Sequence, residues 1–160
     1  MDKEKKIARY QRLRDQLDGL LDKTRDPLAR MATMTALLYH KFDYFFWCGF
    51  YRLADGELIV GPYQGPLACQ VLARDKGVCW AGIREDKTIV VADVRQFPGH
   101  IACDARSLSE IVVPYRDMDG KVAGVLDVDS DRLAQFDEVD AGQLEAIVAL
   151  LNHAVGSGRA

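Results

Sequence analysis

The sequence predicts an α+β domain, with a central antiparallel sheet whose helices pack mainly on one face. Two amphipathic segments open the chain and one closes it, and four apolar stretches between them are paired across Asp-Gly turns. Strands joined by two-residue turns of this kind form antiparallel hairpins. Helices that precede and follow such a sheet pack against it as a layer. At 160 residues, the chain is expected to form one domain.

The first 41 residues are predicted to form two helices. Apolar side chains at three- and four-residue spacing give the first helix an apolar face. They are Ile7, Tyr10, Leu13, Leu17, Leu20 and Leu21. Asp26 and Pro27 are typical of an N-cap and the first residue of a second helix, which runs to about His40. In that helix Met31 and Met34 are predicted to be core residues.

Two hairpins are predicted after the helices. "YFFWCGFYRL" (residues 44–53) is aromatic throughout and predicts a central strand buried on both faces, which Asp55-Gly56 joins to "ELIVGPY". "IVVPYRDM" and "KVAGVLDVDS" form the second pair, joined by Asp119-Gly120. Asp137 is predicted to cap a last helix.

The stretch between the hairpins is irregular. A short strand near residues 70–73, a helix over 78–85 and a strand over 88–91 are predicted, and residues 92–110 have no clean period. A long loop that keeps apolar residues inside a compact domain is typical of a functional segment. The expected organisation is one domain over residues 1–160. It comprises a helical segment 1–41, the sheet with active-site loops 42–130, and a C-terminal helix 137–155.

Composition and charge exclude several classes of protein. The net charge of −3 and the lack of a basic run argue against nucleic-acid binding. No stretch is apolar enough to span a membrane, and the charged N-terminus lacks the apolar region of a signal peptide, so a cytoplasmic protein is expected. The four cysteines are then reduced at rest, which disfavours a structural disulfide framework and favours any disulfide being transient.

Two side-chain pairs could form a site on the sheet. Alternation along the last strand places Asp127 and Asp129 on one face together with Ala123 and Val125. They could form an anionic patch that binds an ammonium group, or simply mark the exposed end of the strand. Trp47 and Tyr51 share a face of the aromatic strand and are either core residues or the wall of a small pocket.

Residue chemistry leaves the role of Cys103 open. It lies in "GHIACDARSLSEI", close in sequence to His100 and Arg106, which could favour its thiolate. A Cys3His zinc site with Cys69, Cys79 and His100 is a weaker reading, because the spacings match no zinc template. No G-x-S-x-G motif supports serine hydrolysis. A buried thiol, a metal ligand and a redox nucleophile therefore all remain.

A family resemblance covers the chain from about Tyr10 to the last helix. Five segments, which occur in the family's order and at compatible spacing, are its most specific part. They are "WCGFY" (47–51), "VGPYQGPLAC" (60–69), "KGVC" (76–79), "GHIACDARSLSEIVVP" (99–114) and "GVLDVDS" (124–130). With them the chain resembles the free methionine-(R)-sulfoxide reductases, which are single-domain members of the GAF fold.

The resemblance implies a role for three of the cysteines. Cys103 would be the nucleophile that attacks the sulfoxide sulfur, Cys69 the principal resolving cysteine, and Cys79 an additional recycling thiol. Cys48 faces away from Trp47 on strand alternation and is predicted to be a buried structural thiol. The family has small residues after the third motif, whereas this chain has Trp80.

The resemblance also implies the substrate contacts and partners. Glu110, Asp127 and Asp129 would hold the substrate's ammonium group and polarise or protonate the sulfoxide oxygen, and Trp47 and Tyr51 would pack around its methyl and thioether carbons. Free methionine-(R)-sulfoxide and a thioredoxin-type reductant would be the partners. No cofactor, metal, nucleic acid or membrane is expected, and a homodimer is left open. The alternative is a stand-alone GAF module that senses a small ligand without catalysis.

Overall fold

The computed structural model describes residues 2–100 and 103–153. Within them lie four α-helices and one six-stranded sheet. The helices are α1 (Lys3–Leu21), α2 (Pro27–Lys41), α3 (Gly77–Glu85) and α4 (Glu138–Val148). The strands are β1 (Trp47–Ala54), β2 (Glu57–Gln64), β3 (Val71–Leu72), β4 (Ile89–Val91), β5 (Ser109–Arg116) and β6 (Val122–Ser130).

The sheet has the order β3-β2-β1-β6-β5-β4, and every neighbouring pair is antiparallel. Helices α1, α2 and α4 cover one face, where they pack around side chains such as Phe50 and Leu126. Helix α3 packs on the other face, against Trp47, Tyr51 and Val125. The predicted α+β class, with helices mainly on one face, is confirmed.

Local sequence signals account for the starts of α2 and α4 and for the first hairpin. The Asp26 carboxylate accepts a hydrogen bond from the Ala29 amide at 2.8 Å, as the N-cap of α2. Asp137 caps α4 in a capping box with Asp140. At Asp55-Gly56 both residues have positive φ, 52° and 77°, as a tight hairpin turn requires.

The buried stripe of α1 differs from the predicted one. Ile7 and Leu20 are 40% and 52% exposed. Their place on the buried face is taken by Lys6, which continues the stripe of Tyr10, Leu13, Leu17 and Leu21. A lysine can be buried here because its ammonium group lies 2.7 Å from the carboxylate of Asp140.

Two further predictions need correction. Ala123 packs into the helix-covered core rather than on the face of Val125, because Gly124 has φ of +154° and the β5–β6 register shifts beside it. The last helix ends as an α-helix at Val148 and continues as a 3₁₀ turn over Ala149–Asn152. Its predicted last two residues, 154 and 155, lie outside the described residues. Within the described ranges, no helix has the length and apolar character needed to span a membrane.

Candidate active site

Strand register gathers three carboxylates on the sheet face that α3 covers. Glu110 of β5 is the partner of Asp129 on β6, and Asp127 lies two residues before it on the same strand. Side chains alternate along a strand, so Asp127 and Asp129 point to one face. All three carboxylates line a single pocket of about 60 Å³.

Trp47 and Tyr51 of β1 form an aromatic wall beside these carboxylates. Trp47 is the register partner of Asp129, and its ring stacks on that of Tyr51 with centroids 5.8 Å apart. Gly49 lies between them, where a Cβ would run into the Trp47 ring and Tyr63. A glycine at this position therefore makes room for the aromatic stack.

The same two aromatic residues hold the loop that carries Cys69. The Trp47 indole Nε1 donates a hydrogen bond to the Pro66 carbonyl at 3.1 Å. The Tyr51 hydroxyl donates one to the Cys69 carbonyl at 2.9 Å. The sequence predicted these rings to be either core residues or the wall of a pocket that contacts substrate, and the structure shows that they also hold the loop of Cys69.

Cys79 of α3 faces β5 and β6 and forms the floor of the pocket together with Glu110, Asp127 and Asp129. Its sulfur and the carboxylate oxygens of Glu110 and Asp127 lie within 4.8 Å of one another, and all three residues are buried. Among the described residues, Asp127 Oδ1 has no hydrogen-bond partner. A thiol and carboxylates at this spacing are suited to a cation, either an ammonium group or a metal ion.

Burial raises the pKa of every group in this floor. Burial, and then the charges of Asp127 and Asp129, raise the pKa of Glu110 well above its usual value. Burial raises the pKa of Asp127 to about 7, and it raises that of Asp129 with help from the charge of Asp127. Burial and the same carboxylates raise the pKa of the Cys79 thiol. The floor therefore holds its protons more tightly than the same groups would in water.

Cys69 and Cys103 are joined by a disulfide at the edge of the pocket, across 34 residues of chain and with Cα atoms 5.8 Å apart. Cys69 is half-buried and Cys103 exposed. Cys48 and Cys79 are free and buried. The weaker zinc reading does not fit this state, because two of its three sulfur ligands are bonded to each other. His100 lines the pocket, and burial lowers its pKa.

The described part of the Cys103 loop is tied to the sheet. Asp104 and Arg106 form an ion pair at 2.7 Å, and the Arg106 guanidinium lies 4.8 Å from the centroid of the Phe46 ring. The Leu108 amide donates a hydrogen bond to the Ser130 carbonyl at 2.8 Å. Residues 101 and 102 of the "GHIACD" segment lie outside the described residues.

Sequence reasoning missed several residues that line the pocket. Phe46, Lys76 and Ser107 are among them, and contact with Ser107 opposes the upward shift of the Asp129 pKa. Lys76 and Ser107 stand within two of the five motifs and Phe46 directly precedes a third, but the local sequence indicates no role for any of them, so only the fold places them at the site. Cys48 is fully buried on the opposite face, as strand alternation predicts.

Comparison with known proteins agrees with this geometry. Residues 26–155 match the family model described as GAF domain. GAF domain-containing protein A of Dictyostelium discoideum is 44% identical over 154 residues, 96% of each chain. The free methionine-R-sulfoxide reductase of Saccharomyces cerevisiae is 39% identical over 84% of this chain and 79% of its own. The Neisseria meningitidis free methionine-R-sulfoxide reductase, solved with its substrate, superposes with a TM-score of 0.87 at 41% identity, over 95% of this chain and 89% of that one.

Proposed function

The chain belongs to the GAF domain family and, within it, to the free methionine-R-sulfoxide reductases, and from this we propose that it reduces free L-methionine-(R)-sulfoxide to L-methionine. The observation that carries the proposal is the Cys69–Cys103 disulfide beside a pocket floored by carboxylates. After a thiol-dependent sulfoxide reductase has transferred two electrons to its substrate, its two cysteines are left joined in a disulfide. A module that only senses a ligand has no need for this pair.

The proposed reaction starts at Cys103. Its thiolate attacks the sulfoxide sulfur while a protonated carboxyl group, which we assign to Glu110, gives its proton to the sulfoxide oxygen. The oxygen passes to the Cys103 sulfur as a sulfenic acid, and methionine leaves. The Cys69 thiol then attacks that sulfur, water leaves, and the disulfide forms. Two thiols are oxidised and one sulfoxide is reduced, so the electrons balance.

Substrate recognition is assigned to the rest of the pocket. Asp127 and Asp129 would bind the α-ammonium group, which a methionine inside a polypeptide lacks. Trp47 and Tyr51 would pack against the methyl and thioether carbons. In the empty pocket the pKa of Asp127 is raised to about 7. An ammonium group bound beside Asp127 would lower this pKa, so substrate binding itself favours the ionised carboxylate that pairs with the ammonium group.

Cys79 is assigned a secondary part as an additional recycling thiol. Burial and the neighbouring carboxylates raise its pKa, so it is a slower attacking group than a thiol beside a cation. It lies inside the pocket rather than in the disulfide. We therefore assign the main route of recycling to Cys69.

Each cycle ends in a disulfide, so the enzyme needs an external dithiol. We propose a thioredoxin-type reductant, which would restore Cys69 and Cys103 by thiol–disulfide exchange. Such a reductant operates in a reducing compartment, and this supports the expected cytoplasmic location.

The function is tested by offering each epimer of free methionine sulfoxide together with dithiothreitol and measuring methionine. We expect turnover of the R epimer alone, and none in Cys103→Ser. Cys48→Ser is the matched control, because that thiol lies on the other face of the sheet. Turnover of Cys103→Ser at the wild-type rate would overturn the assignment of the nucleophile. Tight binding of the sulfoxide without any turnover would favour the ligand sensor.

A further inference from the structure

Three buried side chains on three different elements bring one sulfur and two carboxylates together in the floor of the pocket. Cys79 lies in the first turn of α3, Glu110 on β5 and Asp127 on β6. One ligand atom of each residue lies within 4.8 Å of the other two. Donor atoms at this spacing can share a single ion at metal–ligand distances of about 2.0–2.3 Å. Only Cys79 of this set belongs to the zinc site considered from the sequence.

Asp127 gives independent evidence that this floor takes a ligand. Its side chain lines the pocket and is 6% exposed. Among the described residues, its Oδ1 atom has no hydrogen-bond partner. A buried carboxylate oxygen without a partner is costly, and folded proteins normally supply one. A cation bound in the floor would be that partner.

Close packing of α3 on the sheet fixes the sulfur over the two carboxylates. Gly82 follows Cys79 by three residues on the helix, and a Cβ at Gly82 would lie 2.9 Å from Cγ1 of Val112. Val112 is the register partner of Asp127 and lies two residues after Glu110. A larger residue at position 82 would push the helix away from the strands that carry both carboxylates. The three donors are thus held by rigid elements, which lowers the entropic cost of binding an ion.

The charges around the floor also favour a cation. Asp129 adds a third carboxylate to the lining of the pocket. Within the described ranges, none of the ion pairs includes Glu110, Asp127 or Asp129. Lys76 and His100 line the same pocket, but Lys76 is exposed and burial lowers the pKa of His100, which disfavours its charged form. The carboxylates therefore have no buried cation of the protein beside them.

The donor set selects among metal ions. Mg²⁺ and Ca²⁺ prefer oxygen ligands and water, whereas a thiolate prefers a softer ion. Zn²⁺ accepts sulfur and carboxylate oxygen together, and it often has three protein ligands and one open position. The first turn of α3 has no side-chain cap, and the positive end of the helix there favours the thiolate form of Cys79.

We infer that Cys79, Glu110 and Asp127 form a binding site for a thiophilic divalent cation of the zinc type. On binding, the S–H bond of Cys79 breaks, a sulfur–metal bond forms, and the proton passes to solvent. Carboxyl groups that are protonated release their protons in the same way. The ion keeps its charge, so no oxidant or reductant takes part.

Occupation of this site has a consequence for the substrate. The ion would use Asp127, to which we assign the α-ammonium group of methionine sulfoxide, so ion and substrate would exclude one another. This consequence alone rests on the proposed function. Binding of the ion rests only on the geometry of the three donors.

The first experiment titrates the disulfide form with zinc chloride in a calorimeter, without sulfoxide. In this form Cys69 and Cys103 are bonded to each other, so Cys79 is the free thiol of the pocket. We expect one ion per protein, and an affinity at least roughly tenfold lower in Cys79→Ser and in Asp127→Asn. Cys48→Ser is the matched control and should bind as wild type does, because its thiol lies on the other face of the sheet.

A spectroscopic readout tests the sulfur ligand in wild type itself. Cd²⁺ replaces Zn²⁺, and the ultraviolet charge-transfer band of a cadmium–thiolate bond is followed during the titration. We expect the band to saturate at one ion per protein, to be absent in Cys79→Ser and to be unaffected by Mg²⁺. Absence of the band in wild type would overturn the inference, and so would equal zinc binding by wild type and Cys79→Ser.

Competition is measured in a protein that cannot turn over. The double variant Cys69→Ser, Cys103→Ser keeps Cys79 as the thiol of the pocket, and free methionine-(R)-sulfoxide is titrated into it with and without saturating zinc. We expect zinc to weaken sulfoxide binding by roughly tenfold or more. Equal binding under both conditions would show that the ion lies outside the floor. Absence of sulfoxide binding without zinc would count against the proposed function and leave the zinc titration as it stands.

Discussion

Glu110 on β5 is the register partner of Asp129 on β6, so two carboxylates lie side by side over the face of the sheet that α3 covers. Glu110 is only 6% exposed. Within the described residues, no ion pair joins either group to a basic side chain. A cluster of this kind destabilises the empty protein and is stabilised by a cationic ligand.

The first prediction concerns stability and pH. Burial raises the folded-state pKa of Glu110, so the folded protein binds this proton more tightly than the unfolded chain does. Its stabilising contribution is therefore complete below the unfolded value of about 4.3 and is lost as pH rises toward the folded value. We expect Glu110→Gln to lose less free energy of unfolding than wild type between about pH 5 and about pH 8.

Urea denaturation of the disulfide form at both pH values measures this difference. Comparing wild type with the variant isolates Glu110 from His100, whose pKa is lowered by burial and which therefore shifts stability in the opposite direction. Glu138→Gln, on an exposed side chain, is the matched control. If the free energy of unfolding falls equally in Glu110→Gln and wild type between the two pH values, the pKa of the Glu110 carboxyl is not raised in the folded protein.

The second prediction concerns substrate binding. Asp129→Asn removes a charge that we assign to the α-ammonium group, and a charged hydrogen bond of this kind is worth about 1.5–3 kcal/mol. We expect KM for the sulfoxide to rise by roughly tenfold to a hundredfold, and kcat to change less. Steady-state assays with dithiothreitol measure both. Asp131 lies two residues after Asp129 and outside the pocket, so Asp131→Asn should leave KM unchanged. A similar rise of KM in both variants would indicate a long-range electrostatic effect on binding rather than a direct contact with Asp129.

The third prediction separates the two recycling thiols. Because the disulfide joins Cys69 to Cys103 and leaves Cys79 free, Cys79→Ser should keep most of its turnover with thioredoxin. Cys69→Ser should form one methionine per protein and then stall. Mass spectrometry of the stalled protein should show oxidation at Cys103 or a Cys79–Cys103 bond. Loss of turnover in Cys79→Ser, with normal turnover in Cys69→Ser, would reverse the assignment.

The fourth prediction concerns the ion pair that joins α1 to α4. Lys6 and Asp140 are buried with their charged atoms 2.7 Å apart, and the Tyr10 hydroxyl donates to the same carboxylate at 2.8 Å. Lys6→Met leaves Asp140 buried without its cation, so the free energy of unfolding should fall by about 3–5 kcal/mol. Lys3→Met removes an exposed pair and should change stability little.

Denaturation measures that loss, and activity provides the second readout. Lys6 lies on the face of the sheet opposite the pocket, so turnover per folded molecule should match wild type. An equal loss in Lys3→Met and Lys6→Met would show that burial of the pair is not the cause.

Much of this fold was predictable because its signals are local. Asp26-Pro27, Asp137 and Asp55-Gly56 each act on their own backbone within a few residues, so the structure has their caps and turn where the sequence predicts them. Burial of Lys6 was not predictable in this way. It depends on Asp140, which lies 134 residues away and meets the lysine only when α1 packs on α4.

In the candidate site, too, some features follow from local sequence and others depend on long-range packing. The sequence alone determined that Asp127 and Asp129 share a face, because alternation is a property of one strand. The five motifs indicated the family and its cysteines. Only the tertiary structure brings Glu110 beside Asp129, sets Cys79 against both strands and joins Cys69 to Cys103. Those relationships depend on strand register and on chain reversal over tens of residues, and packing of the whole sheet decides them.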